Sequence, residues 1–364
     1  MIIGVPKEIK ESETRVALTP AGVSMLIRNG HTVLIEKGAG LASNFADRVY
    51  RDAGATILPQ AVRVWKMADM IVKVKEPLAS EYKYFRPGLI LFTYLHLASV
   101  PSLARALCKK QVTALGYETV ETSDGKLPLL IPMSEVAGRV ATQIGTRLLH
   151  RGGGPGKGLL LGGVTGTKKG VVTVIGGGIV GVNAADVAAG LGAEVAILDI
   201  KEDRLQRLQE RFKEKVHAVL STPENIATWV KKSDLLVGAV LVAGDKAPKV
   251  ITKKMLQTME AGSVIVDVAI DQGGCVETSR PTSHKHPIFI KYGVIHYCVP
   301  NMPALTPMTS TEALTSATLP YVAKLASKGV DGAINEDTAL AHGLQIRGGR
   351  VIHPVIAKLF KSLA

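Results

Sequence analysis

Residues 171–199 constrain this chain more than any other stretch. An apolar, β-branched run from Val171 to Ile175 meets the glycine cluster Gly176-Gly177-Gly178. An alanine-rich stretch follows, then a second apolar run that ends on Asp199. The apolar period changes from strand to helix and back, so the segment reads as strand, tight turn, helix, strand. Gly176, Gly178 and Gly181 occupy the three positions of a dinucleotide fingerprint. The first permits the turn, the second lets backbone approach a pyrophosphate, and the third lets helix and strand pack closely. Asp199 stands 23 residues after Gly176, where an acid can bind the ribose 2′-OH. The pattern implies dinucleotide binding, with NAD favoured over NADP because a carboxylate repels a 2′-phosphate. Its rival is a plain βαβ core unit.

A chain of 364 residues is expected to form two domains, each with its own core. Apolar residues at 46% and charged residues at 21% fit a soluble α/β protein in which small aliphatics outnumber aromatics. Cys108, Cys275 and Cys298 are widely spaced and form no CxxC, which argues against a disulfide framework or a metal site. With no apolar leader at the N-terminus, the expected location is cytoplasmic. The formal charge of +13 invites a nucleic-acid reading. However, the densest basic run, Lys201 to Lys215, is interleaved with Glu202, Asp203, Glu210 and Glu214, as on a solvated helix face. Residues 171–198 are apolar enough to suggest a membrane span, but Asp186, Glu194 and the glycines argue for strand–helix–strand instead. Neither nucleic acid nor membrane is an expected partner.

Before the fingerprint, strands are expected at Ile2 to Val5, Thr32 to Ile35, Thr56 to Leu58, Met70 to Val74, Leu89 to Tyr94 and Val112 to Leu115, alternating with helices. That alternation is itself doubly wound. Pro132 to Glu135 opens a long helix, Val136 to His150, and Arg151 to Gly158 reads as a surface loop. Gly162 to Gly166 is read as a connector. After the fingerprint, strands are expected at Val216 to Val219, Asp234 to Val240, Ser263 to Val268 and Val294 to Val299. Pro300, Pro303 and Pro307 then break the pattern before a helical stretch, Thr311 to Ser327. The expected architecture is two doubly wound Rossmann-like α/β domains with a cleft between them. Residues 1–132 and 303–364 form a discontinuous substrate domain, and residues 133–302 form the dinucleotide domain.

Several polar residues follow strand ends, where a doubly wound fold presents ligand-binding groups. Arg15 follows the first strand, Lys75 the strand from Met70, and His96 the strand from Leu89. Asp271 and Asn301 follow the last two parallel strands. An arginine fork with a lysine point charge suits a carboxylate next to a carbonyl, and a histidine with an aspartate suits acid–base work. Each has a structural rival. Arg15 can serve as an ion pair, His96 as a satisfied core or loop histidine, and Asp271 as a turn former. His284, His286, His296, His342 and His353 are read as structural.

Longer motifs add to this. The stretch Gly4 to Glu8 followed by Glu13 to Val23, with Val72 to Pro77, Tyr94 to Ala98, Pro132 to Arg139, Asp267 to Gly274 and Asn301 to Pro303, resembles in sequence and order the family of alanine dehydrogenases and the NAD-binding subunit of proton-translocating transhydrogenase. Alanine dehydrogenase is the closer likeness. The resemblance implies reversible NAD-linked deamination of L-alanine to pyruvate and ammonium in a homo-oligomer, a hexamer in that family. It implies that Arg15 holds the substrate carboxylate, Lys75 polarises the keto or imino group, and Asn301 adjoins the substrate. His96 and Asp271 would be the acid–base pair, with Asp271 activating the water. For the cofactor, Ser134 would contact it from the long helix, and Ile179 and Val180 would line the pyrophosphate turn. Asp199 and Arg204 would lie at the ribose, with Ser221, Val240 and Leu241 on the adenine side. Val268, Ala269, Ile270 and Asp271, together with Val299, Pro300, Asn301 and Met302, would flank the nicotinamide. The alternative is a soluble transhydrogenase-type NAD(H)-binding subunit. The chain departs from the family at Ser12 and Thr14, in the glycine-rich loop 151–158, and in having three consecutive glycines in the fingerprint turn.

Overall fold

The computed structural model describes residues 1–240, 247–360 and 363. The chain divides into two compact units, Met1–Met133 with Thr306–Ala364, and Ser134–Leu305. In the first unit, parallel strands lie in the spatial order Thr56–Leu58, Thr32–Glu36, Ile2–Val5, Met70–Val72, Ile90–Thr93, Thr113–Gly116. In the second, the parallel order is His217–Leu220, Glu194–Asp199, Val171–Ile175, Leu235–Gly238, Val264–Asp267, Val294–Tyr297. Counted by appearance in the chain, the parallel strands of each sheet run 3-2-1-4-5-6. Both units are therefore doubly wound α/β folds. The order reverses next to Ile2–Val5 in one and next to Val171–Ile175 in the other, and ligands bind outside the carboxyl ends of strands at such points. The central strands Leu235–Gly238 and Val264–Asp267 are buried throughout, as expected of parallel strands covered on both faces.

Each sheet also carries antiparallel strands at one edge. Leu344–Arg347 and Arg350–Val351 extend the first sheet, and Ile288–Lys291 extends the second. Both hairpins turn through two residues with positive φ, Gly348 (58°) with Gly349 (78°) and Tyr292 (53°) with Gly293 (76°). That geometry matches the right-handed twist of the flanking strands. The strands expected from the sequence include Val294 to Val299 but not Ile288–Lys291, Leu344–Arg347 or Arg350–Val351, and at Tyr292 a tyrosine in the left-handed region is an uncommon turn signal.

The fingerprint folds as its spacing demands. Gly176 has φ of 105°, and a Cβ there would lie 2.6 Å from the Ala239 carbonyl oxygen. A Cβ on Gly181 would lie 1.9 Å from the Gly176 carbonyl oxygen, so helix Ile179–Gly190 approaches its strand at a distance only glycine allows. The long helix starts at Ile131 and runs to Leu149, earlier than its polar opening suggests. It packs on the fingerprint helix through Gly138, where a Cβ would sit 2.1 Å from the Val180 carbonyl oxygen, and through Thr142, whose hydroxyl donates to the Ala184 carbonyl at 2.9 Å. The helical stretch expected at Thr311 to Ser327 extends over Pro307–Glu336 and is interrupted at Gly329, which has φ of 66°. Among the described residues no helix is long and apolar enough to cross a membrane.

Replacing Gly181 with Ala forces strand and helix apart. Urea unfolding is expected to show a loss of about 1–3 kcal/mol or more, the usual cost of overpacking, and Gly138→Ala is expected to act in the same direction.

Candidate active site

In the first unit, Arg15 lies in the segment between strand Ile2–Val5 and helix Pro20–Arg28 and is only 2% exposed. Its Nε and Nη2 donate to the two oxygens of Glu13 at 2.7 and 2.6 Å, and Nη1 donates to Met133 Sδ at 2.9 Å. The ion-pair rival for this residue is thus realised as a two-pronged fork inside the unit. Such a fork fixes the guanidinium plane, which a bidentate carboxylate-binding role also requires.

Lys75 and His96 come together around one ring. The Lys75 ammonium lies 6.0 Å from the Tyr94 ring centroid, and His96 stacks on the same ring at 5.8 Å. Tyr94 is held by its hydroxyl, which donates to the Leu129 carbonyl at 2.6 Å. Burial raises the pKa of that hydroxyl, and the neighbouring Arg15 charge only partly opposes the shift. His96 Nδ1 is 3.0 Å from Glu76 Oε2, and the other oxygen of Glu76 accepts from Lys10. Burial works to raise the Glu76 pKa, but the hydrogen bonds from His96 and Lys10 outweigh it and bring the carboxyl down to about 2. Deeper in the unit, Lys73 is 1% exposed and pairs with Glu8 and Glu81, each at 3.2 Å. Burial opposes the Lys73 charge, and the two carboxylates more than offset it, so its pKa is raised. Glu8 also accepts the backbone amide of Val74 at 2.7 Å, next to Lys75.

The second unit brings together Asp271 and Asn301. Val268, Ala269, Ile270 and Asp271 lie in the 3-10 turn Val268–Gln272. Gly273 and Gly274, with φ of 91° and 81°, then reverse the chain. Asp271 Oδ1 accepts the backbone amide of Asn301 at 3.3 Å, and Asn301 itself has φ of 57°. Val299 and Pro300 precede it, and Met302 opens the next turn, Met302–Leu305. The fully buried Asp267 anchors this region. Its Oδ2 accepts from the Cys275 amide at 3.0 Å and the Ser279 hydroxyl at 2.6 Å. Ala269 packs into the core of the unit, so only its backbone is available to a ligand. His296, read as structural, is buried between the Thr278 hydroxyl at 2.8 Å and the Val294 carbonyl at 3.0 Å.

At the glycine turn, Asp199 is buried at the end of its strand. Its Oδ2 accepts from the Gly177 amide at 2.7 Å and from Arg204 Nη1 at 2.9 Å, and its Oδ1 accepts from the Lys201 amide at 2.9 Å. This accounts for the third consecutive glycine, because a Cβ on Gly177 would crowd Leu208 Cδ1 at 2.8 Å and Asp199 Oδ2 at 3.1 Å. The Ser221 amide donates to the Asp199 carbonyl at 2.9 Å, which sets Ser221 beside the acid. A Cβ on Gly178 would meet no described atom within 4 Å. Open backbone at Gly178, the first amides of the helix at Ile179 and Val180, which helix geometry leaves without an intrahelical acceptor, and the acid at the next strand end fit a dinucleotide pyrophosphate and ribose. Val240 follows strand Leu235–Gly238 and packs against the core. Ser134 lies in the first turn of helix Ile131–Leu149. Leu241 lies outside the described residues.

Two family models match this chain, "Alanine dehydrogenase/PNT, N-terminal domain" over residues 4–137 and "Alanine dehydrogenase/PNT, C-terminal domain" over residues 141–354. The chain belongs to the alanine dehydrogenase/PNT family. It is 55% identical to an alanine dehydrogenase of Bacillus subtilis over 98% of this chain and 94% of that protein. A solved structure of an L-alanine dehydrogenase superposes with a TM-score of 0.97 at 50% identity, over the whole of both chains. A transhydrogenase from Sinorhizobium meliloti superposes with a TM-score of 0.83 at 23% identity, over 97% of this chain and all of that one, a likeness of fold alone.

The acid side of the stability profile should report on Glu76. Its carboxyl lies at about 2 in the folded chain against an ordinary 4.5, so the stability it contributes is complete above the ordinary value and drains away as pH falls toward the folded one. Denaturant unfolding followed from about pH 5 to about pH 2 is expected to lose part of its pH slope in Glu76→Gln.

Proposed function

We propose that this chain is an NAD-dependent L-alanine dehydrogenase. The reaction converts L-alanine, NAD⁺ and water into pyruvate, ammonium, NADH and a proton, reversibly. The observation that carries the reading is the 55% identity to an alanine dehydrogenase over nearly the full length of both proteins. The placement of Arg15, Lys75, His96, Asp271 and Asn301 after the carboxyl ends of parallel strands supports it.

In this reading Arg15, its plane fixed by Glu13, binds the alanine carboxylate. Lys75 places positive charge beside the nitrogen-bearing carbon and polarises the imine or ketone that forms there. His96 takes a proton from the alanine ammonium and returns one to the departing ammonia. Asp271, held by the Asn301 amide, orients and deprotonates the water that adds to the imine. The glycine turn, Ser134 and Asp199 hold the dinucleotide. When bound, the dinucleotide would supply the acceptor for the hydride that leaves the alanine Cα. The buried Asp199 carboxylate favours a free ribose 2′-OH over a 2′-phosphate, and Arg204, committed to that carboxylate at 2.9 Å, does not reverse the preference.

Three buried, unbridged cysteines support a reducing, cytoplasmic setting. The family likeness supports a homohexamer. The edge strand Ile288–Lys291 exposes Ile290 at 54% and turns through Tyr292 at 41%, an apolar edge that another copy could cover.

The direct test is spectrophotometric. Purified chain with L-alanine should reduce NAD⁺ with a kcat/KM about 100-fold or more above that for NADP⁺, and Asp199→Ala should narrow that ratio by weakening NAD⁺. Asp271→Asn should lower kcat by about 100-fold or more while NADH binding, read by fluorescence, is retained. NADH binding with no alanine-dependent turnover in the unaltered chain would favour the transhydrogenase-subunit reading. Sedimentation velocity checks the hexamer.

A further inference from the structure

His96 is held from two sides. Glu118 accepts the backbone amides of Leu95 at 3.1 Å and His96 at 2.9 Å, which keeps His96 at a φ of 48°, in the left-handed region. Glu76, 5% exposed, meets Nδ1 at 3.0 Å, while the imidazole itself is 39% exposed. No described residue pairs with Nε2. The second oxygen of Glu76 is engaged by the Lys10 ammonium. A carboxylate that faces a lysine and remains ionised can only accept, so Nδ1 must carry a proton whether the ring is neutral or charged. In the neutral ring, Nε2 is then the bare nitrogen.

We propose that Glu76 is a positioning residue that sets the His96 tautomer, with Lys10 fixing which oxygen of Glu76 the ring meets, so that Nε2 is the nitrogen that exchanges protons with substrate. The catalytic part of this rests on the dehydrogenase reading above, and the tautomer does not. Lys10 matters because it makes the pair directional. If Glu76 becomes Gln, the lysine still demands an oxygen. The amide therefore turns its NH₂ toward Nδ1, which must become an acceptor, and the ring proton moves to Nε2. An inverted tautomer of this kind removes the proton-accepting lone pair from the substrate side.

The experiment uses the full chain labelled with [¹⁵N]histidine, with His96→Asn identifying the His96 signals among the nine histidines. At a pH where the ring is neutral, the unaltered protein should show a protonated Nδ1 and a bare Nε2. Glu76→Gln should reverse the two, retain NADH binding and lower kcat for alanine by about 100-fold or more. In Glu76→Gln combined with Lys10→Met, the amide is free to turn its oxygen back to Nδ1. The original tautomer should return, with about a 10-fold or larger recovery of kcat. A bare Nδ1 in the unaltered protein overturns the proposal without need of any variant. So does a Glu76→Gln protein with unchanged tautomer and near-normal kcat, or a double variant no better than the single one. If the unaltered chain shows no alanine turnover, the dehydrogenase reading fails, and the nitrogen spectra still decide the Glu76–His96 pair.

Discussion

The loops that carry the candidate site residues depend on carboxylates that accept backbone amides. Glu8 holds the amide of Val74, beside Lys75. Glu118 holds the amides of Leu95 and His96. Asp199 holds those of Gly177 and Lys201, and Asp267 those of Cys275 and Val276. Glu8, Asp199 and Asp267 are buried. A buried carboxylate is costly unless its lone pairs are met, and an amide of an irregular loop is costly unless it finds an acceptor. Each device satisfies both needs with one set of charge-assisted hydrogen bonds. The loops beyond the strand ends are thereby fixed without regular secondary structure, as a site positioned to within fractions of an ångström requires.

The two units share a strand order but use their switch points differently. In the second, close backbone packing does the work. Gly181 against Gly176, Gly176 against Ala239 and Gly138 against Val180 leave no room for side chains, so the helix N-terminus and the Gly178 backbone stay accessible to an anionic ligand. In the first unit, charge does the work. Arg15 with Glu13, Lys73 with Glu8 and Glu81, and Lys10 with Glu76 form compensated sets around Tyr94, Lys75 and His96. Removing a single member of a buried set exposes its partner to an uncompensated desolvation cost. These residues thus support both the fold and the orientation of the groups next to them.

The fold was largely legible in the sequence because its signals are local. Apolar runs, glycine turns and proline breaks place the parallel strands of both sheets to within a residue or two, and the fingerprint spacing assigns its three glycines and its acid. The antiparallel edge strands Ile288–Lys291, Leu344–Arg347 and Arg350–Val351 were not legible, since such short runs become strands only when they have a sheet to join. The site candidates were legible as residues after strand ends, but their partners were not. Glu76 precedes His96 by 20 residues, and Glu118 follows it by 22. Such pairings are set by which strands lie side by side, and no local pattern encodes that.

The sequence by itself determined the class of fold, the family and the position of the glycine turn, because each depends on short-range geometry or on long runs of matched residues. Only the tertiary structure decided that Met133 meets the Arg15 guanidinium, that His96 and Lys75 share the Tyr94 ring, and that Glu76, engaged by Lys10, meets Nδ1 of His96. The physical reason is that charge compensation in a buried setting acts through space. Apart from the local Glu13–Arg15 fork, which carboxylate meets which cation is fixed when the strands take their order, and not before.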